Sequence, residues 1–370
     1  MARGKAALVD MAAAEAERLT GVVDGLAAAS SPSSSLAYQP QPAAVSPRAR
    51  PEAMALDTLS RRAQLPGPVR FALVVVLSFS ISALGHVFLN ESTQGEMESI
   101  ARQPSTKELA LFAGWRLFAI TLGWLGDFDG YDMAALALLS QGPAAHLISV
   151  FYGIRASAAG AYLGLDVVSA FLPFLLLRKL SGAHSAAPGV PNREIVVDRF
   201  IQVLTTLLSS LTYNVVLFLA GRAYLSDALV LYFKSIPTIK PAADAVLLNL
   251  DSPATQVLSL LFGLAARSFI FTPVVTTPQT AQDGQSEEFD PVHATLGQTV
   301  AWNLWGYTNQ TKVSIKRTAL AMLFTGVSTY LNCVLTITGV ESHGAAVYAS
   351  VWVLATMVTG LVLRFVGSAA

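Results

Sequence analysis

Apolar positions in this chain come in long unbroken runs rather than in alternation. Eight stretches stand out, at 71–89, 109–125, 133–154, 156–177, 200–220, 256–275, 318–338 and 344–366. A helix needs about 20 mostly apolar residues to cross hydrocarbon. The pattern therefore predicts an all-α, polytopic transmembrane helix bundle of about eight spans, and β-barrel patterning is absent. Two stretches are irregular. The second is short and holds Arg116, and the third contains Gln141-Gly142-Pro143. That break reads either as a kink in a span or as the turn between two re-entrant half-helices.

The polar stretches are equally uneven. Residues 6–28 predict an alanine-rich helix whose apolar stripe Glu15 interrupts, and 30–51 is a Ser/Pro/Ala-rich tract without periodicity. Such composition predicts disorder. The expected organisation is a flexible cytoplasmic leader over 1–67 and a helix bundle over 68–370. Within the bundle, Asp290-Pro291 is a helix start, and Val292, Leu296, Val300 and Leu304 recur every fourth residue. An interfacial helix near 290–307 follows, with Trp302, Trp305 and Tyr307 as headgroup-level anchors. The connection 222–251 is apolar enough to rest on the membrane or on neighbouring helices.

Composition sharpens the membrane reading. Hydrophobic residues make up 53% of the chain and charged residues 13%, against roughly a quarter charged in soluble domains. Mean hydropathy is +0.52. The formal net charge is zero, so the expected partner is the lipid bilayer and not nucleic acid. Cofactors are not expected. The single cysteine, Cys333, allows no intrachain disulfide and no cysteine metal site.

Charge placement gives the orientation. Arg48, Arg50, Arg61, Arg62 and Arg70 precede the first stretch, Arg178, Lys179, Arg193 and Arg199 follow the fourth, Lys312, Lys316 and Arg317 precede the seventh, and Arg364 ends the eighth. With eight full crossings all of these, and both termini, share one side, which the positive-inside rule makes cytoplasmic. A re-entrant third stretch would reverse every later group, so the charges favour a third span. Asp10, Glu15, Glu17 and Asp24 count against a mitochondrial presequence, and the first apolar run starts too late for a secretory signal peptide. Endoplasmic reticulum or another endomembrane is the expected home.

Candidate chemistry lies in charges inside the spans. Asp166 falls near the centre of the fourth, Arg116 near the centre of the second, and Arg267 within the sixth. Intramembrane charges mark either a solute or proton path or an ion pair that fixes helix order. Gly153, Ser157, Gly160 and Gly164 share one face of the fourth span. Such small residues serve close packing in the bundle or a homo-oligomer or partner contact. Asp127, Asp129 and Asp132 form the densest acidic cluster. They are weak candidates for a hard metal ion, read first as a turn with Asp132 capping the third span. Two protease patterns are incomplete: Leu163 and Leu165 replace the glycines of the presenilin-type Gly-x-Gly-Asp before Asp166, and Ser328 and His343 are too close in sequence for a rhomboid arrangement. His86 and His146 read as packed histidines, and Asn214 and Asn332 as interhelical glue. No catalytic set emerges. The leading expectation is a non-enzymatic accessory or scaffold protein of an internal membrane. The alternatives are a small-solute or ion transporter using Asp166 and Arg116, and a membrane-embedded enzyme.

Overall fold

The computed structural model describes residues 65–185, 189–234, 236–237, 253–278, 283, 295 and 307–368. The expected leader helix and its Ser/Pro/Ala tract lie outside the described residues. Trp302, Trp305 and nearly all of the expected interfacial helix lie outside them too.

Among the described residues, eight helices are long and apolar enough to cross a membrane: α1 (Gly67–Ser92), α2 (Thr106–Leu125), α3 (Gly130–Val150), α4 (Ala156–Leu177), α5 (Arg199–Tyr232), α6 (Gln256–Val275), α7 (Asn309–Thr336) and α8 (Ser342–Gly367). Among the described residues, extended pairing is limited to the isolated bridges Ala101–Ile337 and Phe233–Val340. The chain is a multi-pass membrane protein of the all-α polytopic class, and helices are the form in which a backbone satisfies its own polar groups in lipid.

Polar caps set several helix starts. The Ser105 hydroxyl accepts from the Glu108 N–H while the Glu108 carboxylate accepts from the Ser105 N–H, which starts α2. Asp129 and Asp132 do the same for α3. This corrects the sequence reading: Asp129 is the N-cap, and Asp132 is its partner three residues on. Thr308 caps α7, which begins well before the expected 318. The expected loop after 220 is helical as far as Tyr232. A π turn at Gly221–Leu225 carries the helix onward, and the Ser226 hydroxyl donates to the Gly221 carbonyl at 2.7 Å.

The Gln141-Gly142-Pro143 segment does not turn back, because α3 runs through it as one helix. Proline lacks an N–H, so the Leu139 carbonyl one turn earlier loses its helical donor. The Thr325 hydroxyl of α7 donates to that carbonyl at 3.1 Å. Asn332 of α7 donates to the Gln141 side chain at 2.7 Å, and Tyr348 of α8 donates to the Pro143 carbonyl at 2.9 Å. At Gly142 a Cβ would lie 2.4 Å from the Phe262 ring, so glycine lets α6 approach. The residues that look like a break are the seam at which α3, α6, α7 and α8 meet. Around it pack the buried rings of Tyr213, Phe262, Tyr348 and Trp352.

Ion pairs sort the helix ends onto two faces. Arg178–Asp127, His184–Asp129 and Arg317–Asp132 join the ends of α2, α3, α4 and α7 on one, the basic face. Arg155–Glu96 and Lys234–Glu341 join the ends of α1, α4, α5 and α8 on the other.

Candidate functional site

Two cavities lie along α2 and α7, one toward each face. The first, of about 540 Å³, reaches from Pro104, Leu109 and Thr336 near the non-basic face to Ser78, Arg116 and Asp166 at mid-helix depth. The second, of about 710 Å³, is lined at the basic face by Ser181, Pro278, Lys316 and Arg317 and reaches inward to Phe118 and Leu320. A single stripe of α7 lines both: Val313, Arg317 and Leu320 in the second, Phe324, Ser328, Asn332 and Thr336 in the first. Recurrence at three and four residues keeps these side chains on one face.

Between the cavities stand three rings. Trp115, Phe118 and Phe324 have centroids 5.2–6.0 Å apart. Trp115 and Phe324 face the first cavity and Phe118 the second. The Trp115 indole N–H donates to Ser328 at 2.9 Å, which holds its ring in place.

The floor of the first cavity brings together two of the three intramembrane charges. Arg116 Nη1 and Asp166 Oδ1 are 3.9 Å apart, and each side chain is 25% exposed. Serines from two neighbouring helices hold the guanidinium. Nη1 donates to Ser82 at 3.1 Å, and Nη2 donates to the Ser78 hydroxyl at 3.1 Å and to Ser169 at 2.6 Å. Ser78 and Ser82 are one turn apart on α1, a spacing that puts both hydroxyls on one side. The sequence reading missed these serines, although their four-residue spacing on a largely apolar helix was the signal. Arg267 does not join the pair. It lies in a π turn of α6, Arg267–Phe271, with its Nε buried and without a hydrogen-bond partner.

That π turn builds the basic-face end. Pro273 removes the donor for the Phe269 carbonyl, and Arg317 Nη1 donates to it instead at 3.0 Å. Arg317 also grips both oxygens of fully buried Asp132, at 2.5 and 3.3 Å. Its guanidinium lies between the Phe128 and Phe269 rings, 4.9 and 5.0 Å from their centroids. Beside it, His184 bonds Asp129 at 2.8 Å. Burial opposes ionisation of Asp129, but the bonds from His184 and from the N–H groups of Asp132 and Ser181 outweigh it and hold the carboxyl well below the usual carboxylate range. Burial likewise opposes the charged form of His184, and the bond to Asp129 with the charges of Asp129 and Asp132 prevails, so its pKa is raised.

Asp129, Asp132 and His184 offer ligand atoms within 4.8 Å of one another, a set that could take a divalent ion. Asp127 stands apart, 93% exposed and paired with Arg178. The trio is already charge-balanced: Asp129 has His184 and Asp132 has Arg317. The protease look-alikes do not assemble. Asp132 is bound at the basic face and Asp166 in the first cavity, while Ser328 holds Trp115 and His343 packs on Tyr232.

The remaining candidates are peripheral. Ser157, Gly160 and Gly164 lie on the exposed side of α4, and a Cβ at Gly153, Gly160 or Gly164 would meet nothing within 4 Å. Helix α4 packs on α1 and α3 through its other side, with Ala158, Ala159, Leu163 and Phe174 buried. Tyr307 is exposed, with the Arg364 guanidinium 5.9 Å from its ring. His146 bonds Tyr348 at 3.2 Å, and Asn214 bonds Ser259 across α5 and α6 at 3.3 Å. No protein-family model, curated protein or solved structure matches this chain.

Proposed function

We propose that this protein is a carrier of an internal membrane that passes a small solute between its two faces, with Arg116 and Asp166 at the central binding site. The supporting observation is the arrangement of the cavities. They approach each other from opposite faces along one stripe of α7, with a cluster of three rings between them. A charged pair at mid-depth fits a solute site, since charges in a membrane interior are kept where they face a cavity or a partner. Movement of Trp115, Phe118 and Phe324 past one another would transfer access from one cavity to the other.

Cysteine labelling tests the reading. In a Cys333→Ala background, Ala137→Cys sits in the first cavity and Thr121→Cys in the second. Both are exposed to a membrane-impermeant maleimide in vesicles of known orientation. A carrier opens alternately, so each cysteine reacts from both faces. Reaction of each from its own face alone refutes the carrier.

An accessory or scaffold role has one observation in its favour, the unoccupied small-residue face of α4. Such a face suits close helix–helix approach. Gly160→Cys in the same background would then give disulfide-linked dimers or adducts in native membranes, and a uniformly monomeric product counts against it.

A further inference from the structure

The Arg116–Asp166 pair is open in a particular way. Its 3.9 Å separation exceeds a hydrogen bond, a spacing that a bridging hydroxyl or water can close by bonding to both charges. Arg116 Nη2 is committed to Ser78 and Ser169, whereas Nη1 has one serine partner and a second N–H to give. Asp166 accepts no side-chain hydrogen bond among the described residues; its backbone carbonyl takes the Ser169 hydroxyl. The floor thus offers N–H donors of Arg116, on Nη1 and on the buried, unpartnered Nε, facing the Asp166 carboxylate as acceptor; His86 stands on the same lining, and the Arg116–Asp166 pair itself is net neutral.

The walls are different. Phe79, Phe112, Ile120, Leu136 and Phe324 give them an apolar surface. Leu109, at the rim and 59% exposed, lies on the side of α2 that faces lipid. A cavity of about 540 Å³ is within the usual range for small-molecule sites.

We propose that this cavity binds a small uncharged amphiphile, with its hydroxyl seated between Arg116 and Asp166 and its apolar body along the walls. The inference rests on the carrier reading and names the chemical class of its cargo. A hydroxyl gives one hydrogen bond and accepts two, so it donates to Asp166 and accepts from Arg116 at once. An ammonium or a carboxylate would satisfy one partner, repel the other and leave net charge in a poorly solvated site, which is costly.

Trp115 reports occupancy, because it lines the cavity and bromine quenches indole at short range. The probes are 8-bromo-1-octanol, 8-bromooctanoate and protonated 8-bromooctylamine, added to the detergent-purified full chain. The signal is the saturable quenching lost in Trp115→Phe. The alcohol is expected to saturate at least about tenfold lower concentration than either charged probe. Asp166→Asn removes the negative charge and shifts preference to the carboxylate, and Arg116→Gln shifts it to the amine. Equal or tighter binding of a charged probe to the wild type overturns the proposal, and so does the absence of saturable quenching by the alcohol. The wild-type ranking does not depend on either charge variant folding. Failure here with two-sided cysteine labelling intact would overturn the cargo class alone, whereas one-sided labelling removes the carrier itself.

Discussion

Pro143 shows how one residue can be misread from sequence and explained by its neighbours. In isolation Gln141-Gly142-Pro143 is a helix break. In the bundle each of its polar consequences has a partner, above all the Leu139 carbonyl that takes the Thr325 hydroxyl. Thr325→Val leaves that buried carbonyl unsatisfied, and the expected cost is about 1–3 kcal/mol. Pro143→Ala returns an N–H to the helix, so the same valine costs less in the Pro143→Ala background. Thermal melting of the four proteins in one detergent gives the coupling, and additive losses would contradict the pairing. His184 supports a prediction of another kind. Folding raises its pKa, so its contribution to stability is full below the unfolded value, about 6.5, and is lost as pH rises through the higher folded value. Folding lowers the pKa of Asp129, so its contribution is present above about pH 4 and lost only in stronger acid. The melting temperature should therefore fall between pH 6 and pH 9, and His184→Gln should flatten that slope. An unchanged slope in the variant would show that the pair does not set it.

At the scale of elements, α7 carries the most structure. One stripe of it lines both cavities, and its basic-face end is anchored by Arg317 to Asp132 and the Phe269 carbonyl. Breaking a buried ion pair by removing one partner typically costs about 3–5 kcal/mol, because the other charge is stranded. Arg317→Met should show a loss of that order by denaturant or thermal unfolding. Adding Asp132→Asn should recover part of it, since the amide oxygen still accepts the cap bond from Asp129. A double variant no more stable than Arg317→Met would mean that the ion pair does not hold α7 in place. Little of this anchor was legible in the sequence. Arg317 appears there as one of several basic residues flanking a span, because nothing local says which of them meets a carboxylate. Pro273, four residues after Phe269, was the available clue that a carbonyl there needs an outside donor. That Asp166 would meet an arginine was legible, because opposite charges in separate apolar helices seek each other; that the partner is Arg116 and not Arg267 was not. Its serine cradle and the cavity above it depend on how three helices meet.

For the whole molecule, the number and order of helices follow from apolar run length alone, since lipid demands about 20 such residues per crossing. Helix ends were less legible: α7 starts at Asn309 and α5 continues to Tyr232, because caps and π turns, not apolarity, decide where they stop. Continuity of α3 fixes the parity that the Gln141-Gly142-Pro143 segment left open. With α3 crossing, Arg70, Arg178, Arg193, Arg317 and Arg364 lie at helix ends on one face. The positive-inside rule then predicts that this face is cytoplasmic. The other face carries Arg102, Arg155 and Lys234, each paired with a glutamate, together with Lys107 in the first turn of α2, so three of these basic groups are balanced locally and exert less net pull on orientation. Two exposed positions decide the matter in a Cys333→Ala background: Arg193→Cys on the basic face and Lys234→Cys on the other. In sealed, cytoplasmic-side-out vesicles, an impermeant maleimide should label Arg193→Cys directly and Lys234→Cys after permeabilisation. The reverse order would invert the protein. Labelling of both without permeabilisation would put an even number of crossings between residues that α5 now separates by one, and the eight-helix path would have to be redrawn from α5 onward.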